Sequence, residues 1–247
     1  MLSKNQIKLI KSLETKKNRK REGLFVAEGP KVVGDLLRAG YQPHSIFTTH
    51  HSLSTSHLSP FLITDDELHR ISFLQHPQEV LAVFHLPTPS QPSDINPHTS
   101  ALSLALDGVQ DPGNVGTIIR IADWFGITQI FCSPDTADVY NPKVVQATMG
   151  SLAHVSITYC DLMPLLSNAH VPIYGTLLDG QDIYQQPLSA NGIIVMGNEG
   201  NGISPEVRQL VSHKLLIPNF NKNKESAESL NVAIATAITC SEFRRRF

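Results

Sequence analysis

The sequence predicts an α/β protein in which a mostly parallel sheet, covered by helices on both faces, is joined to a smaller N-terminal α/β domain. Three observations lead there: apolar strand-length runs alternating with helix-period segments from residue 101 onward, a proline-rich break before them, and a shorter mixed helix-and-strand pattern ahead of the break. Alternation of this kind needs crossover connections. Those give a parallel sheet whose ligands sit beyond the carboxyl ends of the strands. A chain of 247 residues is long enough for two modest domains, each with its own core.

The first domain is placed at residues 1–86. Ile7, Leu9, Ile10 and Leu13 recur at helical spacing, as do Val32, Val33, Leu36 and Leu37 before Gly40. Leu24–Ala27, Ser45–Thr48 and Val80–Phe84 read as strands. Residues 87–99 hold four prolines and almost nothing apolar, the composition of a semi-extended connector. The second domain, 100–247, opens with the apolar run Ala101–Leu106. A helix follows with Val115, Ile118, Ile119, Ala122 and Phe125 on one face, stopped at Gly126. Gln129–Cys132 is a strand, and Asn141-Pro142 supplies an N-cap and first-turn proline for a helix reaching about Gly150. Val155–Tyr159, Val171–Leu178, Ile193–Met196 and Lys214–Ile217 are further strands. Ser204-Pro205 opens one more helix, and Ser229–Phe243 forms the last.

Composition narrows the class. With 41% hydrophobic and 17% charged residues, the chain is neither disordered nor fibrous. Lysines at 4, 8, 11, 16 and 17 break up any signal-peptide-like stretch, and nothing approaches a membrane span, so a cytoplasmic location is expected. Cys132, Cys160 and Cys240 are far apart and form no CxxC pair, which predicts free thiols rather than disulfides or a zinc site. The 11 histidines include no HExxH spacing, and no metal site is expected. The net charge of −2 hides an asymmetry: residues 1–40 carry ten of the twenty Lys and Arg against four acids. A cluster such as Lys16, Lys17, Arg19, Lys20 and Arg21 suits phosphate contacts with a nucleic acid, although a solvated helix face explains it equally well on charge alone.

Three junctions of the second domain are rich in site-forming residues. In Asn114-Val115-Gly116-Thr117-Ile118-Ile119-Arg120, Asn114 sits where a helix begins and Arg120, six positions on, lies at the opposite polar edge of a largely apolar helix. Gly197-Asn198-Glu199-Gly200-Asn201-Gly202-Ile203-Ser204 follows an apolar strand, and its glycines permit close backbone approach to a ligand. That run is neither a GxGxxG fingerprint nor a phosphate loop, so a nicotinamide oxidoreductase is disfavoured. Ile217-Pro218 leads through a polar loop to Ser229-Leu230-Asn231-Val232, where Ser229 suits a helix N-cap. Each has a structural explanation when taken singly: a surface arginine, a tight turn, a cap.

Taken in order and spacing, the three segments resemble the motifs of the SpoU (TrmH-type) RNA 2′-O-ribose methyltransferases. The first domain, through residues 16–21 and Phe25-Val26-Ala27-Glu28-Gly29-Pro30-Lys31, is similar to the substrate-binding domain often joined to that family. The resemblance implies a deep trefoil knot, S-adenosylmethionine as methyl donor, and a homodimer formed through the catalytic domain. It places the cofactor at Thr176, Leu177, Met196, Gly197, Asn198, Gly200, Ile217, Pro218 and Leu230. The catalytic set would be Asn114, Arg120, Glu199, Ser229 and Asn231, with Glu199 bracing the glycine loop. RNA contacts would come from Lys16, Lys17, Arg19, Lys20, Arg21 and Lys31. Ribosomal RNA is favoured over tRNA because a separate N-terminal domain is present, and a non-catalytic RNA-binding module is the contrasting reading. The resemblance gives proton removal to Arg120. A guanidinium ordinarily stays protonated, so a clamp on the phosphate or developing alkoxide is the alternative. The loop 219–227 departs from the family by its length and its lack of glycine.

Overall fold

A computed structural model describes residues 2–50, 59–88, 101–221 and 228–247. Most of the connector expected at 87–99, and Lys222 and Lys224 of the polar loop, lie outside these residues. The chain divides into two compact units, Met1–Thr88 with Asp138–His154 and Pro89–Ala137 with Val155–Phe247.

The first unit carries a four-stranded sheet in the order β1 (Leu24–Glu28), β4 (Val80–His85), β2 (Pro43–Thr48), β3 (Phe61–Leu62). β4 runs antiparallel to both neighbours, while β2 and β3 are parallel. Helices α1 (Lys4–Ser12), α2 (Lys16–Glu22), α3 (Pro30–Arg38) and α4 (Asp65–Ile71) surround it. The sequence pattern does not single out α2, β3 or α4 as elements, yet Thr64 and Glu67 cap each other reciprocally at the start of α4, a pattern visible as T-x-x-E. The strand period of two sorts β1 between two cores. Leu24 and Val26 join Ile10, Leu13, Ile71 and Val83, whereas Phe25 meets Phe84 at 5.6 Å and Tyr140 at 4.8 Å between ring centroids.

Tyr140 belongs to residues 138–154, which the sequence places in the second domain, 100–247. They pack in the first unit through that ring, through α6 (Pro142–Ala147) and through Asp138. Arg19 explains the last contact: its guanidinium, 1% exposed, donates to the Leu13 and Glu14 carbonyls and pairs with Asp138 at 2.6 Å. An arginine so spent has no face left for phosphate, so it is removed from the proposed RNA-contacting set. Leaving a buried partner of such a pair alone costs about 3–5 kcal/mol, which makes Arg19 a structural residue. Its neighbours Lys16, Lys17, Lys20 and Arg21 are exposed. Lys31 is exposed too, but pairs with Asp35 and donates to the Met149 carbonyl.

The second unit is a six-stranded, wholly parallel sheet in the order β10-β8-β9-β5-β6-β7. Its strands are β5 (Leu102–Asp107), β6 (Gln129–Cys132), β7 (Ser156–Tyr159), β8 (Ile173–Asp182), β9 (Gly192–Gly197) and β10 (His213–Leu216). β5 and β9 are buried at every position, as central strands covered on both faces must be. Ile193 and Val195 point to a core shared with α7 (Leu162–Ser167) and α8 (Pro205–Leu210). On the alternate face α5 (Pro112–Trp124) packs against α9 (Val232–Arg245), which also touches β9. Cys132 and Cys240 are buried free thiols, the second pushed up to about 12 by burial; Cys160 is half-buried.

Several boundaries differ from expectation: β8 runs on to Asp182 rather than ending at Leu178, and two helix ends also differ. α9 begins at Val232 rather than Ser229, because the Asn231 side chain is the N-cap and accepts from the Ala233 and Ile234 amides. α6 stops at Ala147, and Gly150 with φ +99° turns the chain into a short 3-10 segment.

At the end of α9 the buried Glu242 takes hydrogen bonds from Arg245 and Arg246, while Arg246 also donates to the Ile183 and Tyr184 carbonyls. The Arg245 hydrogen bond is the largest cause holding the Glu242 carboxyl down at about 2. Burial opposes it and Arg246 assists it. A folded-state value below the unfolded one adds stability above about pH 4.5 that is lost as pH falls toward 2. Since Arg245 is largely exposed, the contribution is on the order of 2 kcal/mol. Glu242→Gln should therefore unfold at lower urea than the parent at pH 7, with the gap narrowing below pH 4.5; an equal gap at pH 7 and pH 3 would contradict this.

Candidate active site

The site forms where β5, β8, β9 and β10 end. After β5, Gly108 adopts φ +70° and the chain turns into α5. There the Asp111 carboxylate caps the helix by accepting from the Asn114 amide at 2.8 Å. Asn114 thus stands in the first turn of α5 with its side chain unspent by capping.

That side chain joins two other segments. Its Nδ2 donates to Glu199 Oε1 at 2.9 Å, and its Oδ1 accepts from Asn231 Nδ2 at 2.9 Å. The Glu199 carboxylate also accepts from the Gln110 and Asp111 amides, each at 3.1 Å. These hydrogen bonds outweigh the upward push of burial and hold its carboxyl below the ordinary glutamate value. At its other end, Asn231 is oriented by capping α9. Every donor and acceptor in the row Glu199–Asn114–Asn231 therefore has one direction.

Glu199 does not brace the glycine loop from within, as expected; it braces the start of α5. The loop is held by Asn198 instead, whose Oδ1 accepts from the Gly200 and Asn201 amides and whose Nδ2 donates to the Gly108 carbonyl at 2.7 Å. The Asn198 and Gly202 backbones exchange two hydrogen bonds of 2.9 Å and close the turn. Gly197 is required beneath it, because a Cβ there would lie 2.2 Å from the Gly202 carbonyl carbon and 2.3 Å from the Ile203 nitrogen.

Opposite this turn β8 breaks register. Gly175 pairs with Lys214, but the next β10 residue, Leu215, pairs with Gln181, so residues 176–180 bulge from the sheet. Between bulge and turn lies a cavity of about 740 Å³. Its walls include Thr176 and Leu177 of the bulge, Met196 and Gly197 of β9, and Ile217 after β10. Asn198 and Gly200 of the turn and Leu230 before α9 complete them. Pro218 is not among the lining residues. Of the expected catalytic set, Glu199, Ser229 and Asn231 line the cavity and Asn114 connects through both neighbours. Arg120 is exposed on α5, about 9 Å along the helix axis from Asn114, and joins no hydrogen bond or ion pair among the described residues. Among the lining residues that the sequence does not single out are the charged pair Asp179 and Arg208, since nothing in it marks a bulge or a cation halfway along a short helix.

A parallel sheet with a cavity at its strand ends, bordered by a glycine turn and edged by fixed amides, is the arrangement in which α/β enzymes bind their ligands. The chain belongs to the SpoU rRNA methylase family, whose model matches residues 101–241; a model for the MRM3-like substrate binding domain matches residues 4–82. It is thus an S-adenosylmethionine-dependent RNA methyltransferase.

The chain is 31% identical to the 23S rRNA (guanosine(2553)-2′-O)-methyltransferase RlmP of Bacillus subtilis, over 98% of this chain and 97% of that one. An AdoMet-bound rRNA methyltransferase from Sinorhizobium meliloti superposes with a TM-score of 0.88 at 31% identity, covering 100% of this chain and 96% of the other. A TrmH-family structure from Porphyromonas gingivalis matches at 45% identity and TM-score 0.87 over both whole chains.

Proposed function

We propose that this chain methylates a ribose 2′-hydroxyl of ribosomal RNA, with the cavity at the ends of β8, β9 and β10 holding S-adenosylmethionine. The observation that carries this reading is the row Glu199–Asn114–Asn231, which binds three separate segments around one cavity. The residues fit the cofactor: Thr176, Leu177, Met196, Gly197 and Ile217 line a cavity of mixed polar and apolar character that suits a nucleoside, and the missing Cβ of Gly197 keeps the turn closed. When bound, S-adenosylmethionine supplies an electrophilic methyl group on sulfur.

The chain's own task is then to orient and activate a ribose oxygen. Asn114 and Asn231 present fixed amides, Ser229 offers a hydroxyl at the same rim, and Glu199 keeps Asn114 in a single orientation. Arg120 is unencumbered and serves as the clamp on the substrate phosphate or the developing alkoxide, with the proton leaving to phosphate or water. Lys16, Lys17, Lys20, Arg21 and Lys31 supply phosphate contacts from the first unit.

Three finer features belong to the same reading. β10 returns beside β8 rather than beside β9, and α9 then follows past the cavity, a course that suits a trefoil knot. Trp124 at 85% exposure, Leu230 and Ile234 put large apolar surface on the α5 and α9 side, which favours a homodimer through this domain. Among the described residues no helix is long and apolar enough to cross a membrane; the cytoplasmic location remains part of the proposal.

The test is to map 2′-O-methyl sites in total RNA from cells with and without the gene. One large-subunit ribosomal site should vanish. Loss confined to a tRNA would overturn the substrate assignment, and an unchanged methylation map would overturn the activity.

A further inference from the structure

Arg208 lies in α8 and Asp179 in the bulge of β8, and both line the cavity. Asp179 Oδ2 accepts from Arg208 and lies 3.4 Å from Lys214 Nζ. The bulge that carries Asp179 is pinned at its far end, where Gly180 sits so close to the Leu215 backbone that a Cβ would lie 2.6 Å from the carbonyl carbon. Asp179 is thereby held on one side by backbone packing, and it in turn holds the guanidinium. One acid between two cations leaves a net positive charge at this edge.

Arg208 is the one cation among the described residues lining the cavity, where the other charged groups are the carboxylates Asp179, Glu199 and Glu228. A ligand carboxylate placed against any of those, or against the apolar wall, would be unpaired and repelled. A guanidinium has five N–H donors, and the contact with Asp179 leaves others for a second carboxylate. Arg208 is 40% exposed, so its charge need not be buried to act.

We propose that Arg208, oriented by Asp179, binds the carboxylate at the amino-acid end of the cofactor. The assignment rests on the cavity being the S-adenosylmethionine site and adds the residue that distinguishes that molecule from a plain nucleoside thioether. Calorimetric titration with S-adenosylhomocysteine and with 5′-methylthioadenosine, which lacks the amino-acid end, separates the two claims. Arg208→Ala and Arg208→Gln should weaken S-adenosylhomocysteine binding about tenfold or more, the usual worth of a charge-assisted hydrogen bond. Both variants should bind 5′-methylthioadenosine as the parent does, and that result also certifies an intact cavity. Unchanged S-adenosylhomocysteine affinity, or equal weakening of both ligands, overturns the role of Arg208. Failure of the unsubstituted protein to bind either ligand overturns the cavity reading, and this assignment with it.

Discussion

Gly197→Val is expected to weaken S-adenosylmethionine binding by at least about a hundredfold, equivalent to roughly 3 kcal/mol. At this position any Cβ would stand 2.2–2.6 Å from the carbonyl group of Gly202 and the nitrogen of Ile203. Backbone atoms cannot rotate away as a side-chain tip can. The Asn198–Gly202 hydrogen bonds must therefore open and the turn must shift, taking with it one wall of the cavity. Gly200 is the control. Its added Cβ would meet only the Asn198 Oδ1 at 3.6 Å, an ordinary contact, so Gly200→Ala should change affinity less than about threefold. Calorimetric titration of both variants, with circular dichroism to verify folding, checks the pair. Unchanged affinity in Gly197→Val would remove the turn from the cofactor site.

Arg120→Ala should lower methyl transfer by about 100- to 1000-fold, the usual cost of removing a group that stabilises developing negative charge. It should leave cofactor affinity and thermal stability close to the parent, because Arg120 is exposed, makes no hydrogen bond among the described residues and does not line the cavity. Single-turnover methylation of RNA at saturating S-adenosylmethionine isolates the effect. Normal turnover in the variant would exclude Arg120 both as proton acceptor and as clamp. Asn114→Ala differs in kind: it cuts the row between Glu199 and Asn231, so its effect should include a looser start of α5 as well as slower transfer.

Much of the candidate site was legible because its residues fall in short, ordered segments at the ends of strongly patterned elements. The run Ile193–Met196 followed by three closely spaced glycines announces a strand and a tight turn, and the turn is where Gly197 meets Gly202. The helix over Val115–Phe125 follows from period alone, and Asn114 is in its first turn. Side-chain direction was less accessible. Glu199 sits in the glycine loop by sequence yet reaches across to the amides of Gln110 and Asp111, while the neighbouring Asn198 holds the loop; nothing in the order of residues says which of two adjacent polar side chains turns inward. Ser229 and Asn231 are both good helix caps, and only the course of the backbone selects Asn231.

By itself the sequence determined the α/β class, which depends on periodicity and local turn chemistry, and the family, which its three ordered motifs resemble; it also supplied the two-part division and the segments proposed for the site. The tertiary structure decided what depends on distant partners. It showed that Arg19, in the midst of a basic run, is buried against Asp138, that residues 138–154 pack with the first unit, and that a register break in β8 carries Asp179 to Arg208 at the cavity. Local pattern reports how a segment prefers to fold, whereas the partner of a buried charge is set by which segments the fold brings within hydrogen-bonding distance.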